Sequence, residues 1–201
     1  MKRFIYLISP NKLNKNFYND LAKVLSTNKV KFFQIRLKGK SFKYLKNISK
    51  KIKKVTSKYN VKLIINDNTK LTKEIGAEGC HLGQNDESMV SAKKKLGKKI
   101  IGVTCHNSKT LCILAQNSKA DYVALGSFFH SKLKPKALKA DIKTLKWAKN
   151  NISIPIVAIG GINKQNFKKI LKSGANYIAL SSFIWNNPKL KPEDAIKVFS
   201  K

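Results

Sequence analysis

Ile156-Val157-Ala158-Ile159-Gly160-Gly161 decides the fold of this 201-residue chain. Four consecutive apolar residues, three of them β-branched, leave no polar face for water, so the run reads as a strand buried on both sides. Such a strand needs parallel neighbours of its own kind, and the chain supplies them. Comparable short runs, rich in Val, Ile, Tyr and Phe, lie at 4–8, 32–35, 61–65, 79–82, 99–103, 122–125, 154–159 and 177–180. Between them the apolar residues shift to helical spacing: Leu21, Val24 and Leu25; Leu45, Ile48, Ile52 and Val55; Leu111, Leu114 and Ala115; Ala195, Val198 and Phe199. Eight strand–helix units without a composition break predict a (β/α)8 TIM barrel, a single compact domain over 1–201 at the lower size limit of that fold. A doubly wound open sheet is the alternative. Helix punctuation agrees: Asn107-Ser108 and Asn163 are expected N-caps, and Gly76, Gly97 and Gly174 stand where left-handed C-terminal caps belong.

The bulk numbers exclude several classes. Hydrophobic residues make up 42% and charged residues 26%, as in a globular protein and unlike a disordered one. The formal charge is +32, but the lysines are spread between the apolar runs, as in Lys50-Lys51-Ile52-Lys53-Lys54, the pattern of solvated helix faces. No aromatic-rich RNA-binding motif or zinc finger is present, so no specific nucleic-acid partner is expected, only weak sticking at low salt. Cys80, Cys105 and Cys112 are odd in number and lack CxxC spacing, which points to reduced thiols. Cys80-His81 and Cys105-His106 are adjacent pairs whose side chains oppose each other on a strand, so neither makes a zinc site. The opening Phe4-Ile5-Tyr6-Leu7-Ile8 is too short for a signal peptide, and no segment approaches the roughly 20 apolar residues of a membrane span. The expected location is cytoplasmic, without a membrane partner; self-association is left open.

A barrel converts sequence position into geometry, because active sites sit at the C-terminal ends of its strands. Gln34, Arg36 and Lys38 follow the second run, Asn66-Asp67 the third, Gln84 and Asp86 the fourth, and Thr104 and His106 the fifth. Only two of the 42 basic residues are Arg, Arg3 and Arg36. Arg is a planar fork that grips phosphate or carboxylate bidentately, so Arg36 is a candidate anion clamp. Asp67 and Asp86, two of only six Asp, stand at adjacent strand ends. Hard carboxylate oxygens holding a partly hydrated Mg²⁺ that in turn binds phosphate would account for them. The plainer alternative is that Asp67 caps the next helix and Asp86 opens the one after. Gly160-Gly161 after the seventh run and Ser181-Ser182 after the eighth fit the phosphate cradle of many barrels. Two anion regions suggest two phosphorylated small-molecule substrates, one of them a diphosphate.

Across nearly its full length the chain resembles the thiamine phosphate synthase family. The likeness is carried by Gln34-Ile35-Arg36-Leu37-Lys38, Ile65-Asn66-Asp67, Gly79-Cys80-His81-Leu82-Gly83-Gln84-Asn85-Asp86 and Ile101-Gly102-Val103-Thr104. Asp121-Tyr122-Val123-Ala124-Leu125-Gly126 and Ala158-Ile159-Gly160-Gly161-Ile162 match as well. The resemblance implies a Mg²⁺-dependent transferase that joins a hydroxymethylpyrimidine diphosphate to a thiazole phosphate and releases pyrophosphate. It assigns Gln34, Ile35, Arg36, Leu37, Lys38 and Asn66 to the pyrimidine diphosphate, with Thr104 and Lys134, and Asp67 and Asp86 to Mg²⁺. Arg36, Lys38 and Lys134 would be the catalytic cations. Ser131, Lys132, Leu133, Gly161, Ser181 and Ser182 would face the thiazole phosphate. Two departures stand out: Asn68 replaces an Arg usual in the family, and Leu133 replaces a hydroxyl.

The implied chemistry needs no protein nucleophile, which agrees with the lack of a convincing Ser-His-Asp or Cys-His set. His81, His106 and His130 read as structural or substrate-adjacent. The competing readings are a thiazole tautomerase-like barrel, which would not need a diphosphate clamp, and a basic nucleic-acid-associated protein.

Overall fold

The eight apolar runs pair side by side, all parallel, and the last returns to the first. In the computed structural model, which describes residues 3–130 and 139–200, the strands are β1 (Ile5–Ile8), β2 (Val30–Ile35), β3 (Lys62–Asn66) and β4 (Gly79–Leu82). They continue with β5 (Ile100–His106), β6 (Tyr122–Gly126), β7 (Ile156–Ile159) and β8 (Tyr177–Leu180). The helices are α1 (Phe17–Ser26), α2 (Phe42–Lys58), α3 (Thr69–Glu74), α4 (Met89–Leu96) and α5 (Lys109–Asn117), then α6 (Ile142–Asn151), α7 (Phe167–Lys172), α8 (Ser182–Trp185) and α9 (Pro192–Lys197). The order β1 to β8 closes through the β8–β1 pair, so the sheet has no edge and the barrel expectation, not the open sheet, is met.

Strand periodicity sorts side chains into two layers. Outward residues such as Leu7, Phe33, Ile35, Leu63 and Leu125 form the large core with the inner faces of the helices. Inward residues Tyr6, Phe32, Ile64, Tyr122, Ala124, Val157 and Ala179 fill the barrel itself. Each large side chain so buried contributes roughly 1.5–3 kcal/mol. The interior is aromatic: the Tyr6 and Phe32 rings lie 5.5 Å apart, Tyr6 and Tyr122 5.7 Å, and Phe32 and Tyr177 5.2 Å. Gly102 faces Tyr122 in register, and a Cβ at Gly102 would fall inside the Tyr122 ring. The glycine is the space the ring occupies.

Arg3 serves the opposite end of the barrel from the mouth. Its guanidinium donates to the carbonyls of Tyr59 at 3.2 Å and Asn60 at 2.7 Å, closing the turn between α2 and β3.

Four local expectations needed correction. β5 runs on to His106, so Thr104 lies within the strand instead of after it. β7 starts at Ile156, because Pro155 has no N–H for the ladder; its carbonyl accepts from Val123 N–H at 3.0 Å. Asn163 does not cap α7. The N-cap is Asn166, and the Asn163 side chain accepts from Gln165 N–H at 2.9 Å in the preceding turn. On α5 the buried residues are Cys112 and Ala115, whereas Leu114 is 55% exposed. Ser108 does cap α5, and Gly76, Gly97 and Gly174 all have positive φ after their helices.

Candidate active site

At the C-terminal end of β2, Gln34 points inward and is buried, donating from Nε2 to Asn66 Oδ1 of β3 at 3.1 Å. Arg36 follows at the same parity, half-buried, with its backbone N–H on Ser9 Oγ at 3.0 Å. Ile35 and Leu37 have the other parity and pack in the outer core, so their side chains face helices and not the barrel axis. Lys38 extends toward Asp67, Nζ to Oδ2 3.9 Å. Between these strand ends and α2 and α3 lies a cavity of about 290 Å³. Ile35, Leu37, Leu45, Ile65 and Leu71 form its apolar wall, and Lys38, Asp67 and Asn68 also line it.

Asp67 leaves β3 in a left-handed conformation, φ 60°, with its N–H on the His81 carbonyl at 2.8 Å. Asp86 follows β4, the strand paired with β3, so the two carboxyls stand on neighbouring loops. Burial, and then the Asp86 carboxylate beside it, push the Asp67 carboxyl up to about 6, against the pull of Lys38 and Arg36. Asp86 is itself held by Gly83 N–H, 2.6 Å from Oδ2. The helix-capping alternative fails for both residues: Asn68 caps α3, accepting from Leu71 N–H at 2.8 Å, and Ser88 caps α4, accepting from Ser91 N–H at 3.3 Å. Asn68 therefore has a structural duty at the start of α3. Asn68→Ala is expected to cost about 1 kcal/mol, a fall of roughly 2–4 °C in Tm by thermal denaturation, while Asn68→Ser keeps most of the stability.

Two hard carboxylates at adjacent strand ends, without a cluster of three acidic, His or Cys ligands among the described residues, match what Mg²⁺ takes from a protein. It is usually bound by one or two carboxylates, with water and substrate phosphate completing the octahedron. The residues present fit that ion. One residue further on, Glu87 accepts from Thr69 Oγ1 at 2.5 Å, from Ser91 Oγ and from Lys95. Lys95, Ser91 and Thr69 together hold its carboxyl down to about 2.

A polar chain crosses the barrel just below. Tyr6 and Tyr122 share a 2.8 Å hydroxyl–hydroxyl bond, Tyr122 OH meets His81 Nδ1 at 2.9 Å, and His81 Nε2 meets Thr104 Oγ1 at 2.8 Å. Burial pushes both phenols well above their ordinary range, so they stay neutral. The Gln84 side-chain amide donates to the Thr104 carbonyl. Thr104 is thus fixed through both its hydroxyl and its backbone. His106, in contrast, is exposed with φ 52°, and His130 is exposed; neither joins this network.

On the far side, the segment after β6 is zipped to the segment after β7: Phe128 N–H bonds Ile159 O and Phe129 N–H bonds Gly160 O, both at 3.1 Å. Gly161 has φ 60°, and a Cβ there would strike the His130 carbonyl and Phe129. Ser181 Oγ donates to the Ser9 carbonyl at 3.2 Å, and Ser182 begins α8. Ser9 therefore ties the Arg36 strand end to the Ser181 turn. Ser131, Lys132, Leu133 and Lys134 lie outside the described residues.

The residues that sequence reasoning passed over are Ser9, Glu87 and the Tyr6–Tyr122 pair. His81 had a legible signal, since it sits at inward parity in β4 and pairs in register with Asn66. The others act through contacts between distant segments, which no local pattern records.

A closed barrel whose mouth gathers a guanidinium, lysines and paired carboxylates defines an enzyme of phosphorylated small molecules. Residues 5–184 match the family model described as thiamine monophosphate synthase, and the chain belongs to that family. It is 51% identical over 197 residues to the thiamine-phosphate synthase of Pelagibacter ubique, covering 98% of this chain and 95% of the relative. The thiamine-phosphate synthase of Clostridium botulinum (strain 657) is 39% identical over 197 residues, covering 93% and 92%. Among solved structures, a thiamine phosphate pyrophosphorylase from Pyrococcus furiosus superposes with a TM-score of 0.88 at 26% identity, over 98% of this chain and 93% of that one. An orotidine 5'-phosphate decarboxylase from Pyrococcus horikoshii, TM-score 0.68 at 14% identity over 95% of each chain, shares the fold alone. The chain is accordingly a transferase of the family that condenses a pyrimidine with a thiazole, and neither a tautomerase nor a nucleic-acid-associated protein is favoured.

Proposed function

We propose that this chain, as one catalytic domain over 1–201, condenses a hydroxymethylpyrimidine diphosphate with a thiazole phosphate, using Mg²⁺. The observation that carries the reading is the placement of Arg36, Lys38, Asp67 and Asp86 at the ends of the adjacent strands β2, β3 and β4, with Lys38 Nζ 3.9 Å from Asp67 Oδ2. Asp67 and Asp86 would hold Mg²⁺, which when bound supplies positive charge to the diphosphate oxygens. Arg36 and Lys38 bind the same diphosphate from the β2 side, and Lys134 is proposed to do so from the segment after β6. Thr104 offers its hydroxyl to the departing pyrophosphate, while Gln34 and Asn66 orient the pyrimidine from the barrel floor. Ile35 and Leu37 contribute backbone and shape, since their side chains face the outer core. Gly161, Ser181 and Ser182, with Ser131, Lys132 and Leu133, are proposed to take the thiazole phosphate.

The carbon–oxygen bond to the diphosphate breaks as the electron-rich pyrimidine stabilises the cation, and the thiazole nitrogen then forms the new bond. The protein's part is to stabilise the leaving group and align the nitrogen. No side chain needs to act as nucleophile. Burial of all three cysteines as free thiols supports a reducing, cytoplasmic setting, and no helix among the described residues is long and apolar enough to cross a membrane.

Mixing the purified protein with both substrates and Mg²⁺ should yield thiamine phosphate and pyrophosphate; no product, where a known synthase works, would sink the proposal. Asp86→Asn is expected to raise the Mg²⁺ concentration for half-maximal rate by roughly 10–100-fold, since it removes a charged ligand and leaves its shape. An unchanged Mg²⁺ profile would remove Asp86 from the metal site.

A further inference from the structure

We propose that Glu87 is a positioning residue that locks the spacing of Asp67 and Asp86 by bonding Thr69 across the two loops that carry them. The inference rests on the reading of those aspartates as Mg²⁺ ligands. Asp67 lies two residues before Thr69, and Asp86 immediately before Glu87.

The covalent paths are short and the geometry is closed. Ser91 and Lys95 are spaced i, i+4 on one face of α4, and Glu87 lies just before its N-cap Ser88. Ser91 Oγ and Lys95 Nζ both reach the same Glu87 oxygen, Oε1, which fixes the carboxylate to α4. The other oxygen, Oε2, receives Thr69 Oγ1 at 2.5 Å from the first residue of α3. Thr69 is buried and the Glu87 side chain is 19% exposed, so water competes weakly for this bond. The strand ladder stops at the Asn66–His81 pair, and the Asp67 N–H to His81 carbonyl bond lies just beyond it. Above that point the Thr69–Glu87 bond joins the two loops.

The tie has a purpose because the aspartates repel. Two carboxylates on neighbouring loops would spread those loops apart wherever the loops could yield. A site that must present both to one small cation gains affinity when the spreading is blocked beforehand. Outer contacts of this kind typically change metal affinity by about 10–100-fold. Glu87 supplies the restraint through both its oxygens, Oε1 to Ser91 and Lys95 and Oε2 to Thr69.

The test is a titration of Mn²⁺ into the full-length protein, followed by the electron paramagnetic resonance signal of the free ion, alongside the Mg²⁺ dependence of the rate. Thr69→Val removes only the crossing donor and keeps the side-chain shape. It should weaken Mn²⁺ binding and raise the Mg²⁺ half-saturation by about 10-fold, with kcat at saturating Mg²⁺ within about twofold of the parent. Glu87→Ala should match it, and Glu87→Gln, which still offers an oxygen to Thr69, should recover most of the affinity. Thr69→Val binding Mn²⁺ as the parent does would overturn the proposal, as would a loss of kcat that saturating Mg²⁺ cannot restore. Asp86→Asn is the control. If it loses Mn²⁺ while Thr69→Val does not, the interloop lock alone falls; if Asp86→Asn also binds normally, the metal reading falls and this proposal with it.

Discussion

Arg36→Lys is expected to lower kcat/KM by about 100-fold although the charge at the site is unchanged. A charge-assisted hydrogen bond contributes roughly 1.5–3 kcal/mol, and the fork loses at least one such bond when it becomes a point charge. At about 1.4 kcal/mol per factor of ten, that loss gives one to two orders of magnitude. The background composition makes this substitution unusually clean. Forty lysines show that this chain meets its need for positive charge with Lys nearly everywhere. The other guanidinium, Arg3, is spent on the Tyr59 and Asn60 carbonyls at the opposite end of the barrel. Arg36 is left as the guanidinium of the mouth, with its backbone pinned by Ser9. Steady-state kinetics with the pyrimidine diphosphate varied should place the loss in both KM and kcat, because the diphosphate is gripped before and during departure. An Arg36→Lys variant with activity within about twofold of the parent would show that charge alone suffices there.

The second large effect is on stability. Gly102→Ala should destabilise the barrel by about 3 kcal/mol, lowering Tm by roughly 6–12 °C. The added methyl would occupy the volume of the Tyr122 ring, which is stacked 5.7 Å from His81, bonded to it and to Tyr6, and closed in on all sides. Tyr122 is buried, so a displaced ring would have to push into close-packed neighbours. Combining Gly102→Ala with Tyr122→Leu should recover part of the loss, a coupling that thermal denaturation of the two single variants and the double variant would measure. Additive losses would mean that Gly102 is needed for some reason other than Tyr122.

The two predictions differ in how they could be reached from sequence. Arg36 was legible, because a rare residue type at a predicted strand end carries chemical meaning by itself. Gly102 was legible only as part of a family motif. Its physical reason, the ring of a residue twenty positions away, requires the β5–β6 register. The same division runs through the site. Asp67 and Asp86 were readable as two carboxylates at adjacent strand ends, yet a capping role fitted either one alone about as well. The choice fell to Asn68 and Ser88, which hold those caps in the folded chain. Asn163 shows the converse: a good capping residue, three positions early, bonded into a turn because Asn166 lay where the helix began.

By itself the sequence determined eight parallel strand–helix units and the strand ends that form the mouth, while the β8–β1 pair decided for the barrel over an open sheet. Those follow from local periodicity and from the order of the runs along the chain. It also determined which residue types could meet phosphate there. Tertiary structure alone decided which of these side chains are neighbours. The Lys38–Asp67 ion pair, the Tyr6–Tyr122–His81–Thr104 chain and the Thr69–Glu87 bond across two loops all join groups from different strand–helix units. The physical reason is range: backbone propensity acts over a few residues, whereas a shared proton or hydrogen bond depends on distances that exist only once the barrel has closed.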